Sequence, residues 1–172
     1  APYQNPDIQV VSIEDSNTSR EYELFIKLPE NYDVESGKTH PVIYIADAPW
    51  HIEILSGSIE YFVEDAILVG ISWEKGIPPQ QSRMRDYMPT KFTGENYGHP
   101  TGKAKEHLTF IQNDVFGYVE SKFLVDPARR SYYGYSASGT FGTYILLTQP
   151  NTFENYIIGS PATLFDGTLL HE

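Results

Sequence analysis

The sequence holds no cysteine. Disulfides, thiolate metal sites and cysteine nucleophiles are thereby excluded, while the compartment stays open. No apolar run approaches the ~18 residues that a membrane helix needs, so no membrane span is expected. Basic residues are scarce: 12 Lys and Arg face 23 Asp and Glu, for a net charge of −11. Such a surface is ill-suited to neutralising phosphates and argues against nucleic-acid binding. Internal repeats, low-complexity stretches and a dividing linker are also missing. One domain is expected of 172 residues, enough chain for a sizeable core. The chain opens on "APYQ" rather than on methionine. A processed start is expected from this, which leaves a cytoplasmic, periplasmic or secreted location open.

What is present is an alternation of strand and helix patterns. "IQVVSI" (8–13) is β-branched and predicts a strand. "REYELFIKL" (20–28) sets Tyr22, Leu24, Ile26 and Leu28 on one face, as a half-buried strand does. A short polar link joins the two and predicts an antiparallel edge hairpin. "PENYDVESGKTH" (29–40) reads as a polar loop that carries His40. "PVIYIAD" (41–47) and "AILVGIS" (66–72) are near-continuous apolar runs, expected of central parallel strands buried on both faces. Between them, "WHIEILSGSIEYFVED" predicts helix in its second half. Residues 103–123 place Leu108, Ile111, Val115, Val119 and Phe123 on one helical stripe, with His107 on the helix surface. "RRSYYGYS" (129–136) predicts a short strand, "ASGTFGTYILLTQ" (137–149) a helix stopped by Pro150, and "YIIGS" (156–160) another strand. This order implies right-handed crossovers and a mostly parallel sheet with helices on both faces.

The chemistry concentrates in "YYGYSASGTFGTY" (132–144). Gly134 and Ser136 begin a G-x-S-x-G pattern, but Ser138 stands where its last glycine would be. A strand before and a helix after give Ser136 the setting of a nucleophile elbow, a sharp turn that lifts the serine oxygen above the sheet. The N–H groups of the helix start favour negative charge there. The alternative is an ordinary serine N-cap. Context favours the nucleophile. Acyl transfer also needs two N–H donors aimed at the developing oxyanion. Ala137 follows the serine and is the first candidate. The second is expected from the loop after "VIYIAD". Pro49 has no N–H to give, which leaves Ala48 as first choice and Trp50 as second.

Residues 74–105 predict a long loop, a length usually reserved for function or disorder. Lys75, Arg83, Arg85, Lys91, Lys103 and Lys105 outnumber Glu74, Asp86 and Glu95 in it. Two readings stay open. One is a basic rim, with Arg83 and Arg85 binding an anionic ester. The other is ordinary loop charge, with Arg85 paired to a carboxylate. Trp73, at the end of a central strand, lies where α/β sheets present ligands and is a candidate aromatic wall. Tyr135, beside the serine, is a further substrate-binding candidate. His51 and His99 fall in regions able to approach the site, although loop exposure fits them better. No histidine pair has zinc spacing, and no metal or organic cofactor is implied.

Four blocks of sequence extend the pattern: "REYELFIKLPENYDVESGKTHPVIYIAD", "AILVGISW", "SRMRDYMPT" and "GYSASGTFGTYILLTQPNTFENYIIGSP". Together they resemble the "Putative esterase" family of α/β-hydrolases, most of all its enterochelin (siderophore) esterase-like branch. Ala48 and Ser138 depart from the family's usual glycines. The resemblance implies an α/β-hydrolase fold with an antiparallel N-terminal edge. It also implies a serine carboxylesterase acting on a small-molecule ester, an anionic or siderophore-like one among the candidates, through an acyl-enzyme on Ser136. An acyltransferase and a non-catalytic binding module are the alternatives. In such folds the triad runs serine, acid, histidine along the chain. Asp166 and His171 have that order but follow the last strand too closely, and read as surface residues. The acid and base are therefore expected beyond residue 172, with the fold incomplete at its C-terminal side. Oligomeric state is not legible.

Overall fold

The computed structural model describes residues 5–59, 63–91 and 98–162. Asp166, His171 and Glu95 lie outside them. Six strands form one sheet: β1 (Ile8–Glu14), β2 (Glu21–Lys27), β3 (His40–Ile45), β4 (Ile67–Ile71), β5 (Val125–Tyr135) and β6 (Asn155–Gly159), in the order β1-β2-β4-β3-β5-β6. β1, β2 and β4 pair antiparallel, whereas β4-β3-β5-β6 run parallel. The mostly parallel sheet with an antiparallel N-terminal edge is thus the one expected.

Alternation along the central strands divides the core. Val42, Tyr44, Ile67, Val69 and Ile71 face one side. There they meet α2 (Pro79–Asp86), α3 (Ala104–Phe110), α4 (Phe116–Lys122) and α5 (Ala137–Thr148) through Met84, Leu108, Val119 and Phe141. Ile43, Ile45 and Leu68 face the other side, where α1 (Ala48–Ile59) covers them with Ile52 and Leu55. Continuous apolar runs such as "VIYI" arise because both faces are dry.

Four local expectations need correction. Helix α1 occupies 48–59 rather than the second half of the segment between β3 and β4. Pro49 suits the first turn, where a missing N–H costs nothing. The segment 74–105 is not all loop, for α2 lies within it and buries Ser82, Arg83, Met84, Arg85 and Asp86. His40 is not in a loop but opens β3, wholly buried, with Nδ1 2.9 Å from the carbonyl oxygen of Asp65.

His107 is the fourth. It is buried, ringed by Tyr22, Tyr87, Phe110 and Phe141. Helix α3 passes into α4 through a π-helical turn (Ile111–Val115), in which the N–H of Phe116 donates to the carbonyl of Ile111. That wide turn lets residues five apart, Phe110 and Val115, both reach the core, so the buried face is broader than a single stripe. Asp114, in the same turn, accepts from the backbone N–H and hydroxyl of Ser16, each at 3.2 Å, and braces the β1–β2 connection.

Burial pushes the His107 imidazole below its ordinary range, against the pull of Asp86. The unfolded chain therefore takes up a proton near pH 6.5 that the folded chain refuses. Stability is full above that pH and falls as pH drops toward the lower folded value. We expect His107→Phe to flatten this slope. Urea midpoints at pH 7.5 and 5.5 measure it, and an unchanged slope would refute the assignment.

Candidate active site

The parallel pairing of β3 with β5 sets Ile45 opposite Tyr133. Three residues further along each strand stand Ala48 and Ser136. Two helices, α1 and α5, therefore start at the C-terminal ends of neighbouring central strands.

Ser136 takes φ 58° and ψ −119°, left-handed backbone that a non-glycine residue adopts only under constraint. Its side chain makes no capping bond, and among the described residues its hydroxyl has no hydrogen-bond partner. The N-cap alternative therefore lacks the bond that defines it. The turn is held from outside. The Ser136 N–H donates to the carbonyl of Gly159 on β6 at 3.0 Å. The Tyr132 hydroxyl donates to the Ser138 carbonyl at 2.7 Å. At Gly134 a Cβ would sit 2.4 Å from that same carbonyl oxygen, so only glycine fits beneath the first turn of α5.

Both departures from the glycine pattern have compensations. The hydroxyl of Ser138 accepts from the Tyr135 N–H at 3.0 Å and donates to the Tyr135 carbonyl at 2.9 Å. It staples the elbow that a glycine would merely permit. The methyl of Ala48 is accommodated by Gly70 on β4, where a Cβ would lie 2.6 Å from it.

The two oxyanion candidates, Ala137 and Ala48, stand at the starts of α5 and α1. Ala137 is the first residue of α5. On the β3 side the N–H of Trp50 already donates to the carbonyl of Asp47 at 2.9 Å, and Ala48 is wholly buried. Asp47 itself is wholly buried and has φ 55°.

Trp73 and Trp50 meet edge-on at 4.6 Å between ring centroids. The Trp73 indole N–H is not free for a ligand, since it donates to Asp47 Oδ1 at 2.6 Å. Trp50 and Tyr135 remain about half exposed, at 50% and 49%. His51 is on α1, half-buried, its ring edge-on to Tyr133 and Tyr135 and its Nδ1 3.3 Å from the Ala46 carbonyl oxygen. His99 is exposed on the segment before α3.

Arg83 and Arg85 are not free cations on a rim. Arg83 is buried and forks onto Asp47. Arg85 is buried against Asp86 and Glu74, with the Tyr22 hydroxyl on both Arg85 and Asp86. The carboxylate pairing weighed for Arg85 is the arrangement found. Lys75 lies near Glu21 and Glu23, and Lys103 pairs with Glu106. Lys91 and Lys105 are exposed. The sequence missed the role of Asp47, whose partners lie far along the chain. A lone Asp ending a buried strand was its one local signal.

A family model described as "Putative esterase" matches residues 16–165. A ferri-bacillibactin esterase, BesA, of Bacillus subtilis is 28% identical over 91% of this chain and 59% of its own length. A siderophore triacetylfusarinine C esterase of Aspergillus fumigatus is 29% identical over 77% of this chain and 48% of its own. The chain thus spans about half to three fifths of these relatives. The crystal structure of an IroE-like serine hydrolase from Shewanella oneidensis superposes with a TM-score of 0.83 at 25% identity, over 95% of this chain and 55% of that one.

Proposed function

Because this chain belongs to the "Putative esterase" family, we propose that its whole protein is a serine carboxylesterase of siderophore-type esters. The observation that carries the reading is Ser136, held at φ 58° between a strand and a helix with its hydroxyl uncommitted among the described residues. Ser136 attacks the ester carbonyl, and the N–H groups of Ala137 and Ala48 receive the oxyanion. The alcohol leaves with a proton, and water then cleaves the acyl-enzyme. The siderophore class rests on the named activities of the two curated relatives. Tyr135, next to the serine in sequence, and Trp50, on the first turn of α1, offer exposed aromatic surface for such a ligand.

A serine hydroxyl needs an adjacent base. His40 and His107 are sealed in the core, and no described histidine hydrogen-bonds Ser136. We assign the base and its orienting carboxylate to the part of the whole protein outside these residues.

The test is labelling of the full-length protein with a fluorophosphonate, located by peptide mass spectrometry, alongside turnover of a cyclic tri-ester siderophore. One adduct on Ser136 and ring-opened product are expected. An adduct elsewhere, or none, would sink the nucleophile; labelling without siderophore turnover would sink the substrate class.

A further inference from the structure

One buried carboxylate stands directly behind the proposed oxyanion turn. Asp47 Oδ1 accepts from Trp73 Nε1 at 2.6 Å and from Arg83 Nε at 2.9 Å, and Oδ2 accepts from Arg83 Nη2 at 3.1 Å. Its own N–H donates to the Tyr87 hydroxyl at 3.3 Å. The residue is thus gripped from the segment after β4, from α2 and from the end of α2 while its backbone sits in the left-handed region at φ 55°. A buried ion pair adds little net stability over apolar packing, and left-handed backbone at a non-glycine residue is unfavourable. Neither feature is explained by stability.

Geometry explains both. The ψ rotation at Asp47 aims the peptide plane that carries the Ala48 N–H. With the Asp47 N–H and carboxylate held, and its carbonyl, in that same peptide plane, accepting from the Trp50 N–H at 2.9 Å, that donor has one direction. We infer that the Asp47–Arg83 pair, with Trp73 as its third partner, is a positioning device that preorganises the second oxyanion donor. Asp47 is a positioning residue, since its carboxylate is turned away from solvent into the fold. The same guanidinium lies 4.7 Å from the Trp50 ring centroid and steadies that half-exposed wall. This inference deepens the Ser136 esterase reading and rests on it.

The experiment uses the full-length protein with a neutral aryl ester. It also uses a trifluoromethyl ketone, which forms an anionic hemiketal on the serine. Asp47→Asn keeps shape but weakens the grip of Arg83. We expect kcat to fall about 10- to 100-fold, less than outright loss of an oxyanion donor, with KM within about threefold. The ketone's inhibition constant should rise by the factor lost in kcat/KM, because both report the oxyanion rather than ground-state binding. Arg83→Lys, which keeps the charge and loses the fork, should show the same split more mildly than Arg83→Met, and carries the test if Asp47→Asn does not fold. A folded variant with unchanged kcat and ketone affinity would overturn the positioning role. So would a loss confined to KM. Ser136→Ala separates the two claims: if it is inactive while Asp47→Asn and Arg83→Lys are unimpaired, only the positioning role falls.

Discussion

Replacing Ser136 by alanine in the full-length protein should lower turnover of small aryl esters on the order of 10³-fold or more, because nucleophile and base act as a unit. The melting transition should stay near that of the wild type. The hydroxyl has no hydrogen-bond partner among the described residues, so its removal there leaves no buried group unsatisfied. Alanine meets the same left-handed backbone as serine. Initial rates and thermal melts read the two effects separately. Turnover at the wild-type rate would remove Ser136 from the mechanism, and a collapse in stability would recast it as a structural residue.

Gly134→Ala should be nearly as damaging by another route. Its Cβ would lie 2.4 Å from the Ser138 carbonyl oxygen and 2.8 Å from the Tyr132 hydroxyl. Both atoms belong to the brace that holds the first turn of α5, so the helix start must move. A shift near 1 Å is enough to cost about 100-fold in rate. Overpacking adds a stability loss of about 1–3 kcal/mol. The measurements are kcat/KM and the denaturant midpoint. A variant unchanged in both would mean that the close approach is not what positions the serine.

The parts legible in the sequence were those set by local pattern. "VIYI" and "AILVG" announce central strands because each residue, on either face, meets apolar neighbours. The elbow is legible because Gly134 and small residues crowd a strand-to-helix junction. Helix α2 was not legible, for its residues "PQQSRMRD" are polar yet mostly buried. Arg83, Arg85 and Asp86 go inside because their charges pair, and pairing with Asp47 or Glu74 is a fact of the fold rather than of spacing. His107 was misplaced for a related reason. Besides Phe110 on its own helix, its aromatic neighbours come from β2, α5 and the end of α2, far from it in sequence. The compensations at Ala48 and Ser138 were equally hidden. One depends on a glycine on another strand, the other on which way a hydroxyl turns.

The π-helical turn between α3 and α4 bears on how this chain compares with its kin. Its bond from the Phe116 N–H to the Ile111 carbonyl marks it as an α-helix carrying one inserted residue. Deleting one residue there would restore ordinary i→i−4 pairing and leave the helix after residue 115 in its present phase, so Val119 would still face the core. What the deletion removes is the extra residue of the turn, the place from which Asp114 holds Ser16. An alignment gap at this place is therefore compatible with the same apolar positions on both sides of it.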